Sequence, residues 1–182
     1  MIQSGARTEV ILRQYEQHLG EASDIHVYGS ESLKSPIHIT RYDNVIPGAS
    51  VLLTAGLSGY SAELGGAHEV VLVASTHVDE ISDFLIAAVR FAIKQKLPIT
   101  YGFSLQGLSA INPSLAKSSG KEALYFTSLS GLPAQIVAID NESDAKLLNA
   151  ILISAAENDY FLDNGAEALE SKLSQQRATA NA

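Results

Sequence analysis

The chain of 182 residues has no cysteine, no tryptophan and no long hydrophobic run. The lack of cysteine excludes a disulfide framework, thiolate-ligated zinc or iron–sulfur sites, and catalysis by a thiol. Apolar runs such as 70–74 and 151–153 are far shorter than the roughly 20 residues that span a bilayer. The first ten residues lack the apolar segment of a signal peptide, so we expect a cytoplasmic protein without a membrane partner.

Basic residues are also scarce, since 12 Lys and Arg stand against 20 Asp and Glu, a net charge of −8. A protein that binds a phosphate backbone needs a positive surface, so we expect no nucleic-acid partner. Most of the negative charge falls between residues 140 and 172. This concentration indicates either a solvated helical surface or an acidic face that attracts a basic protein partner. The candidate residues of the acidic face are Asp140, Glu142, Asp144, Asp159, Asp163 and Glu167.

A hydrophobic content of 46% excludes a disordered chain, and the length fits one domain over 1–182 with a core at about 36–175. Helical periodicity predicts an N-terminal helix over 6–19 and one long amphipathic helix over 79–96, which ends before Pro98. Ser154 and Glu157 have the spacing of a capping box, which predicts a helix over 155–163.

The remaining segments are typical of strands, a loop and a C-terminal helix. Alternating or continuous apolar residues predict strands at 24–30, 36–43, 49–58, 68–75, 99–105, 122–128, 134–140 and 146–153. We predict a loop over 43–48, a last helix over 166–175 and a frayed tail over 176–182. The sequence therefore predicts an α+β fold, in which a mixed, mostly antiparallel sheet packs with one long central helix and terminal helices.

Catalytic signals are weak throughout the sequence. Ser58 and Ser104 each lie in an imperfect copy of the GxSxG nucleophile motif, and neither is followed by a convincing helix. His77, Asp79 and Glu80 have types that ligate metals, although acids at this place also suit the start of a helix. We therefore expect no metal, no cofactor and no catalytic residue.

Several motifs follow one another along the chain in a characteristic order. An apolar strand ends in the turn 56–58, and after a variable loop Glu69 opens a second apolar strand. The long helix 79–96 comes next, followed by the aromatic–glycine segment 99–105 and the strand 122–128. The order ends in a strand–helix segment with three characteristic residues: Glu157, Gly165 and Leu169.

This ordered set, which covers about 36–175, resembles the Suppressor of fused domain family, in its bacterial stand-alone type. The resemblance implies a protein-binding module without catalysis. It also implies peptide-binding positions at Leu52, Thr54, Tyr60 and Glu63. In strand addition, a partner pairs with a free sheet edge, and an exposed aromatic at Tyr60 beside the charge of Glu63 would serve as an anchor. The other interpretation is that Tyr60 closes the local core.

Three motif residues also have simple structural interpretations. Gly56 after an apolar strand favours a bend or a close backbone approach. The side chain of Ser58 can bond back to the backbone in a turn, and Gly165 is typical of a left-handed helix C-cap.

Three functional hypotheses follow from the sequence. The leading one, which the resemblance to the bacterial stand-alone type implies, is an immunity protein that neutralises a cognate protein toxin. The net charge of −8 agrees with it, because an acidic inhibitor suits a basic toxin. The second is a regulatory adaptor that binds a short linear peptide by strand addition. The third is a serine hydrolase that uses Ser58 or Ser104. The oligomeric state and the sheet edge that binds stay open.

Overall fold

The computed structural model describes residues 3–29 and 33–180, which form eight α-helices, one 3₁₀ turn and seven strands. The helices are α1 (Gln3–Leu19), α2 (Ser61–Leu64), α3 (Val78–Gln95), α4 (Leu108–Ile111), α5 (Pro113–Ser119), α6 (Ala134–Glu142), α7 (Ala155–Asn164) and α8 (Ala166–Ala180). The strands are β1 (Asp24–Tyr28), β2 (Ile37–Ile46), β3 (Ala49–Ala55), β4 (His68–Ala74), β5 (Phe103–Gln106), β6 (Ala123–Thr127) and β7 (Lys146–Ile153). The 3₁₀ turn, Leu57–Tyr60, directly follows the end of β3.

All seven strands form one sheet in the order β1-β2-β3-β4-β7-β6-β5. Neighbouring strands are antiparallel except β4 and β7, which run parallel. The predicted α+β class with a mixed, mostly antiparallel sheet is therefore confirmed. None of the described helices has the length and apolar character needed to cross a membrane.

Helices cover both faces of the sheet, because alternate residues of the central strands point to opposite sides. On one face, Leu52 and Leu72 pack with the apolar side of α3, which carries Phe84 and Leu85. On the other face, Val51 and Leu53 pack under α1 and α6. Farther along that second face, Tyr125 and Leu169 join β6 to α8. The long Val and Leu runs are therefore buried on both sides, as continuous apolar strands require.

One predicted strand is wrong. Residues 134–140 form most of helix α6 instead of a strand. Pro133 precedes the helix, and Ile136 and Ile139 stand one helical turn apart, so both reach the core beside α1. The two isoleucines therefore have a helical spacing. In a segment this short, the apolar pattern alone does not distinguish a helix from a strand.

Smaller differences concern where elements begin and end. The predicted loop over 43–48 is wrong in part, because β2 continues to Ile46 through a bulge and the turn occupies only residues 47–48. Strand β5 begins at Phe103, since the preceding residues form a turn. Helix α8 continues to Ala180, so the tail predicted from 176 is largely helical, and residues 181–182 lie outside the described part of the chain.

Candidate functional site

A buried carboxylate organises the turn that follows β3. Glu69 lies on β4, only 1% exposed, and its Oε1 accepts hydrogen bonds from the backbone N–H groups of Gly56 (3.0 Å) and Ser58 (2.9 Å). Its Oε2 accepts from the Leu57 N–H (3.2 Å) and from Thr54 Oγ1 (2.7 Å). Burial raises the pKa of Glu69, while the Ser58 N–H and the Thr54 hydroxyl act in the opposite direction. The acid of the motif therefore holds the turn in place.

Gly56 shows why this turn needs glycine. Its φ of 105° lies in the left-handed region, and a Cβ there would meet the Pro36 carbonyl oxygen at 2.7 Å. The predicted close backbone approach is therefore confirmed. The predicted bond from the Ser58 side chain to the backbone is wrong, because that hydroxyl is buried without a partner in the described structure. Gly165 also has positive φ, but its φ of 84° and ψ of 177° differ from the predicted left-handed C-cap.

Leu52 and Thr54 do not lie on a free sheet edge. Both belong to β3, which is paired on one side with β2 and on the other with β4. Thr54 is buried, donates to Glu69 and accepts from the Val70 N–H at 2.8 Å. Its carbonyl accepts from the Tyr15 hydroxyl at 2.6 Å. The backbone of β3 is therefore not available for an added strand, and Thr54 has a structural role.

Tyr60 is not the exposed aromatic that the resemblance implies, since it is 1% exposed. Its hydroxyl donates to the Ser35 carbonyl and accepts from the Ser35 N–H, which joins the turn to the segment before β2. Glu63, on α2, pairs with Lys34, and that bond holds the pKa of its carboxyl below the usual value. The interpretation in which Tyr60 closes the local core therefore fits the structure.

The candidate acidic residues fall into two separate groups. Asp140 and Glu142 end α6: the Asp140 carboxylate accepts from the Leu147 N–H, and Glu142 lies 2.9 Å from His18 of α1. The second group, Asp159, Asp163 and Glu167, lies around the junction of α7 and α8. That junction contacts the opposite end of the sheet, where Ala166 approaches Gly102 beside edge strand β5.

Four of the six candidate acids are exposed, and within residues 3–29 and 33–180 they form no hydrogen bond or ion pair: Asp144, which follows α6, and Asp159, Asp163 and Glu167. Asp140 instead bonds to the Leu147 N–H and lies near Lys146, and Glu142 pairs with His18. The segment therefore presents two acidic areas instead of one continuous acidic face.

The sheet has two edge strands in the described structure, β5 at one end and β1 at the other. The edge with exposed apolar side chains is β1. It pairs with β2 on one side, and no described strand pairs with its other side. Two of its apolar side chains are largely exposed, Ile25 at 51% and Val27 at 58%. An exposed apolar edge strand presents unpaired N–H and C=O groups that pair readily with another chain.

A groove lies on each side of β1. One, of about 240 Å³, runs between β1 and α3 and has Leu52 in its lining. The other, of about 290 Å³, runs between β1 and α1 and is lined by Ile25, Leu12 and Tyr42. Because the side chains of an added strand alternate between the two faces of a sheet, successive side chains would point toward these two grooves.

The surroundings of β1 are acidic. The two grooves contain five acids and two arginines: Glu16, Glu21, Asp24, Asp79 and Asp83, with Arg13 and Arg41. Arg41 is already engaged by Asp43 at 2.7 Å and by Asp79 at 3.3 Å. The edge therefore has a negative potential that favours a basic partner.

The residues considered for catalysis lie in separate parts of the described structure. The Ser58 hydroxyl is buried without a hydrogen-bond partner, and Ser104 is half-buried on β5. His77 adopts a left-handed conformation before α3, where Asp79 and Glu80 occupy the first turn. Over residues 3–29 and 33–180, no three His, Asp or Glu side chains are grouped as a metal ion requires.

In comparisons with protein-family models, curated proteins and solved structures, nothing matches the chain. The resemblance to the Suppressor of fused family therefore stays a prediction. The sequence does contain a signal for the β1 edge, since Ile25 and Val27 alternate with polar residues in a short strand near the start of the chain. That signal does not show which strand ends the sheet, because strand order depends on distant pairing.

Proposed function

We propose that this protein is a non-enzymatic protein-binding module that adds an extended segment of a partner protein to β1. The observation that carries the proposal is the exposure of Ile25 and Val27 on an edge strand with an unpaired side in the described structure. Backbone hydrogen bonds to β1 would supply affinity, and the grooves on its two sides would supply specificity.

The charge around β1 supports a basic partner. Five acids against two arginines line the grooves, and the whole chain has a net charge of −8. Complementary charge speeds association and opposes wrong partners. The more specific form of the proposal is therefore an immunity protein that meets and neutralises a basic protein toxin in the cytoplasm.

Strand pairing at β1 also supports the second candidate, an adaptor that binds a short linear peptide. An adaptor needs only the extended segment, whereas an immunity protein needs an enzyme or pore-forming toxin whose activity is lost on binding. The two candidates therefore share one site and differ in what the partner does. A serine hydrolase has less support, because the Ser58 hydroxyl is buried, out of reach of a substrate in the described structure.

The experiment compares three tagged proteins: the wild type, Val27→Lys and the control Leu162→Lys. Lysine on an edge strand opposes pairing with another strand, while Leu162, 62% exposed on α7, lies away from β1. Each is used for affinity purification from the source cells at about 50 mM and about 200 mM salt, which changes the screening of surface charges. Purified partner is then added back to each protein to measure the dissociation constant.

We expect one stoichiometric basic protein with the wild type and with Leu162→Lys, held more weakly at the higher salt. We expect Val27→Lys to weaken its binding at least about tenfold, because the added strand loses pairing along β1. Loss of the partner's toxicity in the presence of the wild type would support the immunity form. Equal binding by Val27→Lys and Leu162→Lys would overturn the β1 site.

A further inference from the structure

A groove of about 660 Å³ opens between α3 and the segment around α2, away from β1. One wall consists of Leu33, Lys34, Tyr60 and Glu63. Two hydrogen bonds between Tyr60 and Ser35 hold this wall in place, and within the wall Glu63 forms an ion pair with Lys34. Its volume is in the range of roughly 300–1,000 Å³ that is typical of binding pockets.

The other wall is the outward side of α3. Ala87, Arg90, Phe91 and Lys94 lie on this side, since positions three and four apart share one face of a helix. The opposite side of α3 is packed into the core. Phe91 is 49% exposed and lies between Arg90 and Lys94 in the lining of the groove.

The groove is basic, although the protein is acidic. Four cations line it, Lys34, Arg90, Lys94 and Lys96, against the single acid Glu63. Lys34 is paired with Glu63, whereas the other three have no ion pair within residues 3–29 and 33–180. A third of the twelve cations of the chain therefore surround one groove that also contains an exposed aromatic ring.

Helix stabilisation explains only part of this arrangement. Lys94 and Lys96 lie at the C-terminal end of α3, where positive charge is favourable to the helix dipole. Arg90 lies more than a turn before that end, and the dipole gives no reason for the exposed ring of Phe91. The combination of cations and apolar side chains around a cavity points instead to a ligand.

The chemistry of the groove favours carboxylates on a polypeptide over a compact phosphate. The end of α3 presents its carbonyl groups, which disfavour a concentrated negative charge. The cations are spread along the helix, so each can meet a separate singly charged carboxylate.

We propose that this groove binds an acidic segment of a second polypeptide, with carboxylates at Arg90, Lys94 and Lys96 and an aromatic or aliphatic side chain against Phe91 and Leu33. Charge complementarity favours an acidic segment as the ligand. The exposed apolar side chains of the groove indicate that this segment also carries apolar residues. The site is separate from β1 and has the opposite charge. The protein would therefore hold a basic segment at its edge strand and an acidic one beside α3.

The test uses a fluorescently labelled twelve-residue peptide in which glutamates alternate with phenylalanine and leucine, measured by fluorescence anisotropy. Two control peptides replace either the glutamates with lysine or the apolar residues with serine. The variants are Arg90→Glu and Phe91→Ser, with matched controls Lys117→Glu on α5 and Ile111→Ser on α4, both exposed positions outside the groove. Circular dichroism confirms that each variant is folded.

We expect the acidic apolar peptide to bind and both control peptides to bind at least about fivefold more weakly. We expect Arg90→Glu and Phe91→Ser each to raise the dissociation constant by about three- to tenfold, in line with loss of one exposed ion pair or one apolar contact. The matched controls and Val27→Lys should bind the acidic peptide as the wild type does. The outcome of this test is therefore independent of whether β1 binds a partner.

Three results would overturn the proposal. The first is no binding of the acidic apolar peptide at about 1 mM. The second is equal binding by Arg90→Glu and Lys117→Glu, because the groove would then make no specific contact. The third is tighter binding of a single-stranded oligonucleotide that displaces the peptide, which would make the groove a nucleic-acid site.

Discussion

Replacing Glu69 with alanine removes the acceptor for four hydrogen bonds in the middle of the fold. Three of the donors are backbone N–H groups, at Gly56, Leu57 and Ser58, and all lie 2.9–3.2 Å from the carboxylate. A buried donor without a partner costs about 1–3 kcal/mol, and removal of the buried carboxylate returns part of its own desolvation cost. We therefore expect the free energy of unfolding to fall by about 3–4 kcal/mol.

The assay is equilibrium unfolding in urea, with thermal unfolding as a second measurement. For a chain of this length, each kcal/mol changes Tm by about 2–4 °C, so Glu69→Ala should lower Tm by roughly 6–16 °C. Glu69→Gln should lie between the wild type and alanine, because its amide oxygen still accepts from the Gly56 and Ser58 N–H groups. Its NH₂ would face the Leu57 N–H and the Thr54 hydroxyl, which now donate to the carboxylate.

The matched control is Glu9→Ala on the exposed side of α1, which should change the free energy of unfolding by less than about 0.5 kcal/mol. A loss below about 1 kcal/mol for Glu69→Ala would refute the reasoning. It would mean that the turn after β3 keeps its N–H groups bonded without the carboxylate.

Two further predictions concern buried polar groups. Thr54→Val keeps the shape of the side chain but removes the hydroxyl that joins Glu69 to the Val70 N–H, so we expect a loss of about 1–2 kcal/mol in urea unfolding and no change in partner binding. Burial lowers the pKa of His38 and His68 from the usual 6.5, so the unfolded chain takes up these protons at a higher pH than the folded one. The free energy of unfolding should therefore fall as the pH drops through about 6.5. The double variant His38→Gln/His68→Gln should lose less of it than the wild type between about pH 7.5 and 5, as measured by urea unfolding. An equal loss in both proteins would contradict the lowered pKa values of the two histidines.

The elements that could be predicted from sequence are those whose pattern is local. Helix α3 has an apolar stripe that runs from Ile81 to Ala92, and the capping box of Ser154 and Glu157 fixes the start of α7 through two reciprocal bonds. Segment 134–140 was wrongly predicted as a strand, because a short apolar run fits a strand as well as a helix, and packing against α1 decides between them.

The candidate site was harder to predict, because exposure depends on strand order. Leu52 and Thr54 have the alternation of a strand, but only the pairing of β3 with both neighbours shows that no edge is free there. Tyr60 is an aromatic residue near a charge, which is typical of a binding anchor. In the structure it is buried, and its hydroxyl bonds to the backbone of Ser35. The basic groove joins residues 33–34 to residues 87–96, a proximity that no local pattern indicates.

Hydrogen–deuterium exchange tests the central claim, binding at β1, most directly. The protein is compared alone and with the partner obtained by affinity purification, and the amides of residues 24–28 are followed. Successive N–H groups of a strand point to opposite edges, so an added strand would bond only those amides of β1 that point away from β2. We therefore predict that these alternate amides exchange at least about tenfold more slowly in the complex. Unchanged exchange at 24–28, with protection elsewhere on the surface, would contradict the account.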